Sequence, residues 1–184
     1  MKISIWNGSP REQGNTARLA AAFAAGASEV GHSVQLFDIA RLNIQPCLAC
    51  NHCRKKTSQG ICVQKDDMPY LYQSVDESDM LVLATPLYFF GFCAQIKTAI
   101  DRLYMRPQLT DPSRCKLQKL ALLAVCGSDY DYAMDGLLAN YSLICDHFNI
   151  DNAGEVLAFG VISPDDILEH PSLLEAAHLG RNLT

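Results

Sequence analysis

The sequence predicts an α/β protein: a three-layer α/β/α sandwich on a doubly wound, five-stranded parallel sheet of strand order 2-1-3-4-5. Three observations point there. Apolar runs of strand length alternate five times with runs of helical period. The third run, "MLVLA" from Met80 to Ala84, is apolar without a break, as expected of a strand covered on both faces. Parallel neighbours also need crossovers, which the helical runs between the strands supply. A chain of 184 residues suits one such domain, so residues 1–184 are read as a single unit.

Residues 2–6 form the first strand and end in a turn. From Thr16 onward Leu19, Ala22, Phe23, Ala27 and Val30 recur at helical spacing, and Gly31 stands where that helix stops. The second strand runs from Ser33 to Phe37. Roughly forty residues then separate it from the third strand, well beyond a minimal crossover. The excess is an insertion at about residues 45–66 that carries four cysteines. A capped helix follows, with Asp66 or Asp67 at its start and Met68, Leu71, Tyr72 and Val75 on its buried side.

After Met80 to Ala84, Ile96, Ile100, Leu103 and Tyr104 make a helix stripe. Leu120 to Val125 is the fourth strand, and Met134, Leu137, Leu138, Tyr141, Cys145 and Phe148 mark the next helix. Val156 to Val161 is read as the last strand. Ser163 caps a final helical region, with Asp166 placed for the reciprocal bond, and Pro171 divides that region into two short helices.

The formal charge of −5 argues against nucleic acid, which rewards a basic face. No stretch is long and apolar enough for a bilayer, and no secretory signal opens the chain. The expected setting is therefore the cytoplasm, without membrane or nucleic-acid partners, where eight cysteines stay reduced.

Two loops carry the chemistry. "NGSPREQGNT" joins the first strand to a helix N-terminus, where unpaired N–H groups and the positive end of the helix dipole favour an anion. Neither the nucleoside-triphosphate loop nor the dinucleotide fingerprint fits, since no lysine follows Gly14 and G-x-G-x-x-G is absent. Asp38 is read as an ordinary strand-end carboxylate, and Asn15 as a cap is the plain alternative for the loop. The second loop, "TPLYFFG", brings three consecutive aromatics to the end of the third strand. Three neighbours in an extended chain cannot all face one way, so at least one reaches the ligand crevice.

"GSPREQGNT", "TPLYFFG" and "KTAIDR" in the following helix resemble the flavodoxin-like NAD(P)H-dependent FMN reductase family over most of residues 1–105. The resemblance implies that Ser9, Arg11, Gly14, Asn15 and Thr16 hold the FMN phosphate. It implies that Pro86, Leu87, Tyr88, Phe89 and Phe90 line the isoalloxazine, with Gly127 and Ser128 as further contacts. It also implies a homo-oligomer, dimer or tetramer, in which a second chain completes the flavin pocket.

In "PCLACNHCRKKTSQGICVQKDDM", Cys47, Cys50 and Cys53 are three apart and Cys62 follows after eight residues. C-x2-C-x2-C thiolates can wrap three corners of a [4Fe–4S] cluster, with a distant cysteine as the fourth ligand. Iron–sulfur flavoproteins, relatives of the FMN reductases, are similar in carrying a compact cysteine motif here. That similarity implies Cys47, Cys50, Cys53 and Cys62 as ligands, although the last gap is longer than usual in that motif. Loop length costs little entropy, so the gap does not forbid closure. Two other readings stay open: a zinc ion held by four thiolates, or by three with His52, and four plain reduced thiols. Cys93, Cys115, Cys126 and Cys145 share no ligand spacing and are assigned to packing.

The expected function is FMN-dependent oxidoreduction. Hydride comes from NAD(P)H, and electrons go to a quinone, a flavin or a similar small acceptor, or through the cluster. No catalytic acid or base is assigned, because the flavin supplies the reactive chemistry. The rival readings are a flavodoxin-type carrier without a nicotinamide site and a zinc-stabilised interaction module.

Overall fold

The computed structural model describes residues 1–58, 60–106, 109, 111 and 115–183. Strands β1 (Lys2–Asn7), β2 (Ser33–Asp38), β3 (Met80–Tyr88), β5 (Lys119–Val125) and β6 (Asp151–Ala158) form a parallel sheet in the order β2-β1-β3-β5-β6. A short strand β4 (Gly91–Phe92) folds back antiparallel onto β3. Leaving β4 aside, the order is the one expected from the sequence.

Period-two alternation splits the core into two. On one face Ile3, Ile5, Met80, Val82, Ala121 and Leu123 pack beneath α1 (Asn15–Glu29) and α5 (Ser172–Arg181). On the other, Trp6, Leu81, Leu83, Leu120 and Leu122 meet α2 (Met68–Glu77), α3 (Ala94–Arg102) and α4 (Asp135–Phe148). The stripe Met68, Leu71, Tyr72 and Val75 is buried as the spacing of α2 requires. Among the described residues no helix is long and apolar enough to cross a membrane.

Three boundaries differ from the sequence reading. The last strand is Asp151–Ala158, not Val156–Val161. Its first half, "DNAGE", is polar because β6 is an edge strand, and a register shift opposite Leu120 and Ala121 places Gly154 at φ +129°. Strand β3 runs on through Pro86 to Tyr88, because its end turns into a hairpin with β4 and leaves the sheet interior. The N-cap of α1 is Gly14 rather than Asn15. Asp166, by contrast, makes its expected bond: its carboxylate accepts from Ser163 N at 2.6 Å.

Helices α1 and α5 cross at backbone contact. A Cβ on Gly26 would lie 2.8 Å from the carbonyl carbon of Ala177, and one on Gly180 would lie 2.8 Å from the backbone nitrogen of Ala27. Small residues permit this approach, and backbone cannot yield as a side chain can. Gly26→Ala is therefore expected to cost about 1–3 kcal/mol as overpacking, despite the better helix propensity of alanine. Urea unfolding checks this, and a gain in stability would contradict the crossing.

Candidate functional site

Parallel strands deliver their outgoing loops to one end of the sheet, and the loops after β1, β3, β5 and β6 meet there around one cleft of about 220 Å³. Ser9, Arg11, Asn15 and Thr16 line one side, Pro86, Leu87 and Tyr88 another, and Cys126 and Gly127 a third. Two sequence-distant loops expected to act together are thus brought together.

The first loop is shaped before any ligand arrives. Buried Asn7 accepts from Ser9 N at 3.1 Å and donates from Nδ2 to Asp38 at 2.8 Å. Asp38 is accordingly spent on holding Asn7. Ser9 Oγ accepts from Arg11 N at 3.2 Å and closes the turn. The first hydrogen bond of α1 runs from Arg18 N to Gly14 O, and no side chain caps the helix. The N–H groups of Asn15, Thr16 and Ala17 therefore lack helical acceptors. Asn15 is 8% exposed; its Nδ2 donates to Ser163 O at 2.7 Å, while its buried Oδ1 has no partner among the described residues. Among the described residues Arg11 has no carboxylate partner, whereas Arg18 is paired with Asp165 at 2.7 Å.

The second loop is welded to the first. Gly8 N donates to Ala84 O at 2.9 Å, and buried Cys93 Sγ donates to Gly8 O at 3.3 Å. A Cβ on Gly8 would lie 2.6 Å from that sulfur. Beyond Tyr88 the chain reverses through Phe89 and Phe90, with φ of +46° and +64°. Positive φ at both positions of a two-residue hairpin is the geometry that favours Asn-Gly, and bulky aromatics there carry strain. Phe89 is fully exposed and Phe90 largely so; both project at the tip, outside the cleft wall. Gly14 serves as helix cap. Ser128 is committed elsewhere: its Oγ accepts from Tyr130 N at 3.2 Å within its own turn, and its carbonyl accepts from Gly160 N at 3.0 Å.

Sequence reasoning missed Val125, Cys126, Val161 and Ile162, which also line the cleft. Their position at strand ends beside already suspected loops was the available signal. Burial pushes the Cys126 thiol above its usual range, so it sits there as a neutral group.

The cysteine insertion lies to one side, tied down by a residue that the sequence reading left without a role. Arg102, 2% exposed, donates to Asp66 at 2.6 and 3.2 Å, to Gln45 O at 2.7 Å and to Cys62 Sγ at 3.5 Å. One guanidinium thus holds both ends of the insertion. Cys47 and Cys50 are exposed, and Cys53 and Cys62 half-buried. Among the described residues no three His, Cys, Asp or Glu side chains are gathered to hold a metal ion.

Comparison with known proteins shows the family and the fold. Residues 1–141 match the family model "NADPH-dependent FMN reductase". An iron–sulfur flavoprotein of Archaeoglobus fulgidus is 40% identical over 96 residues, covering 52% of this chain and 42% of that protein. The chain spans about half the length, or less, of the curated relatives it matches first. An NAD(P)H:quinone oxidoreductase from Methanothermobacter marburgensis superimposes with a TM-score of 0.78 at 20% identity, over 99% of this chain and 95% of that one. An FMN-dependent NADH-azoreductase from Bacillus anthracis, solved with FMN, gives 0.73 at 14% identity, over 98% of each chain. At such identities the structures show a shared fold.

The buried pair has its own measurable consequence. Burial pushes the Asp66 carboxyl up, but hydrogen bonds from Arg102 and from the Gln45 and Met68 backbone outweigh it and hold the group below the usual carboxylate range. Asp66→Asn leaves a buried guanidinium without its counter-charge, which is expected to cost about 3–5 kcal/mol at neutral pH. The contribution is complete above the unfolded-state pKa of about 3.9 and is lost as pH falls through the lower folded-state value. Urea unfolding of both proteins from pH 7 downward should show the gap closing below about pH 4. A gap that persists undiminished in strong acid would rule the pair out as its source.

Proposed function

The chain belongs to the NADPH-dependent FMN reductase family, and from that premise we propose that it is an FMN-dependent oxidoreductase taking hydride from NAD(P)H and passing electrons to a small planar acceptor such as a quinone or a flavin. One observation carries the proposal: an uncapped helix N-terminus and an apolar, tyrosine-bearing loop, sixty residues and more apart in sequence, wall the same cleft.

The residues suit the cofactor. Free N–H groups at Asn15, Thr16 and Ala17, the hydroxyls of Ser9 and Thr16, and the unpaired charge of Arg11 suit a phosphate monoester. The orphaned Asn15 Oδ1 needs a donor, which a ribityl hydroxyl offers. The volume of about 220 Å³ is below the roughly 300–1,000 Å³ usual for sites that engulf a whole ligand. It accommodates the anionic end and the chain next to it, and leaves a tricyclic ring at the mouth beside Pro86, Leu87 and Tyr88. Bound there, FMN supplies hydride acceptance and electron release; the protein orients it, excludes water with Val125 and Val161, and needs no acid or base of its own.

The exposed tip of Phe89 and Phe90 supports a homo-oligomer, dimer or tetramer, in which those rings are covered. Eight free thiols support a reducing, cytoplasmic setting. The names of the iron–sulfur relatives support a [4Fe–4S] cluster on Cys47, Cys50, Cys53 and Cys62. The donors are of the right kind, but the described geometry does not gather three of them, so no electron step is assigned to a cluster. Iron and acid-labile sulfide in equal amounts in anaerobically purified protein, both lost in Cys50→Ser, is the expected result for cluster ligation; their absence would leave zinc or plain thiols, which a zinc assay separates.

For the flavin site the expected outcome is selective. Arg11→Ala should weaken FMN binding about 10- to 100-fold, the worth of a charge-assisted hydrogen bond, and leave riboflavin affinity unchanged. Fluorescence titration of flavin-free protein measures both. NADPH or NADH should then bleach the bound flavin anaerobically; a flavin reduced by dithionite but by neither nucleotide would instead mark an electron carrier.

A further inference from the structure

Charge is distributed unevenly along this chain. None of its fifteen Lys and Arg residues falls between residues 120 and 180, where ten of its twenty carboxylates lie. The loop from β5 to α4 belongs to this stretch and reads "CGSDYDYAMD" from Cys126 to Asp135. Cys126 and Gly127 line the cleft, and the rest of the loop runs on from it to α4. Asp129, Asp131 and Asp135 are all exposed and, among the described residues, have no cationic partner. The Asp129 carboxylate stands over Gly160, just beyond the end of β6. Asp131 Oδ1 accepts from Tyr132 N at 2.8 Å and so fixes the turn.

Between these carboxylates Tyr130 and Tyr132 stack, 5.4 Å apart and 9° from parallel, with their outer faces exposed. The β3–β4 hairpin abuts the same region, since a Cβ on Gly136 would lie 2.8 Å from Phe90 O. That hairpin, "PLYFFGF" from Pro86 to Phe92, carries no charge at all. The rim formed by the two loops is therefore aromatic and anionic.

The opposite end of the cleft is cationic, and the sheet keeps the two apart. The loop holding Arg11 enters α1 on one layer; the loop holding the aspartates enters α4 on the other. Strands β1 and β5 are also separated by β3, which sets their ends about 10 Å apart. A phosphate, whether of the flavin or of a dinucleotide, thus has one favourable end, the Arg11 end, and a small acceptor seated on the tyrosine faces meets the carboxylates.

Resting on the reading that FMN occupies this cleft, we infer that the aromatic, carboxylate-bearing rim of Asp129, Tyr130, Asp131, Tyr132 and Asp135 makes the protein select uncharged or cationic planar acceptors and reject anionic ones. The tyrosine faces suit a flat ring, and unscreened carboxylates at the mouth of a cleft lower the local concentration of anions. Both effects act on the acceptor and leave the flavin phosphate at its own end.

The test needs no nicotinamide. FMN-loaded protein is reduced with dithionite and mixed in stopped flow with 1,4-naphthoquinone or its 2-sulfonate, at about 10 mM and about 0.5 M salt. The sulfonate is expected to react about tenfold faster at high salt, and the neutral quinone at an unchanged rate. In the triple variant Asp129→Asn, Asp131→Asn, Asp135→Asn most of that salt dependence should vanish, because the sulfonate already reacts fast at low salt. Asn at 131 keeps the oxygen that caps Tyr132, and the salt series on the unmodified protein stands alone if the variant fails to fold. A loaded protein whose sulfonate rate ignores salt would overturn this inference alone; a protein that takes up no FMN would overturn the reading beneath it as well.

Discussion

The cleft depends on the close passage of backbone at Gly8. There the first loop leaves β1, gives its N–H to Ala84 and receives the Cys93 thiol on its carbonyl, with no room for a side chain. Thr85, fully buried one residue on, accepts from Cys93 N and donates to Pro86 O. A few bonds thus fix the first loop against the second. Neither loop alone walls the cleft; their fixed separation makes it. Such a weld costs no reorganisation when ligand arrives, which is where preorganised sites gain affinity.

A second constraint acts on the insertion. Extra chain between β2 and α2 is cheap in closure entropy, but it must still be anchored. Arg102 does so from the end of α3, reaching Asp66, Gln45 and Cys62 with one planar group. Ion pairs so deeply buried are weak evidence of net stability, because desolvation offsets attraction. They are better at fixing geometry, and here the geometry fixed is the position of Cys62 and of the N-terminus of α2.

Strain and exposed charge lie at loop tips rather than in the core. Positive φ at Phe89 and Phe90 is tolerated at a hairpin tip that no core packing would demand. The exposed carboxylates of Asp129, Asp131 and Asp135 likewise do nothing for the core. They belong to the loop that enters α4 on one layer, whereas Arg11 belongs to the loop that enters α1 on the other.

Periodicity determined the strands, the buried helix faces and the places of the two loops, because apolar alternation and helix stripes are local and survive in a linear reading; the strand order followed from the fold class they imply. Met80 to Ala84 and the stripe of α2 were legible for that reason, as were Ser9, Arg11 and Thr16 beside a helix start. Strand β6 was misplaced because an edge strand has one wet face and need not spell an apolar run. Val161, Ile162 and Cys126 entered the site only through the sheet, which brings strand ends together whatever their spacing in sequence. Arg102 stood in a motif with no visible duty, since its partners lie 36 to 57 residues away. What the sequence by itself determined was each segment's own chemistry. Tertiary structure alone decided which segments share a surface, because contact across a folded sheet depends on register and crossover geometry that no local pattern encodes.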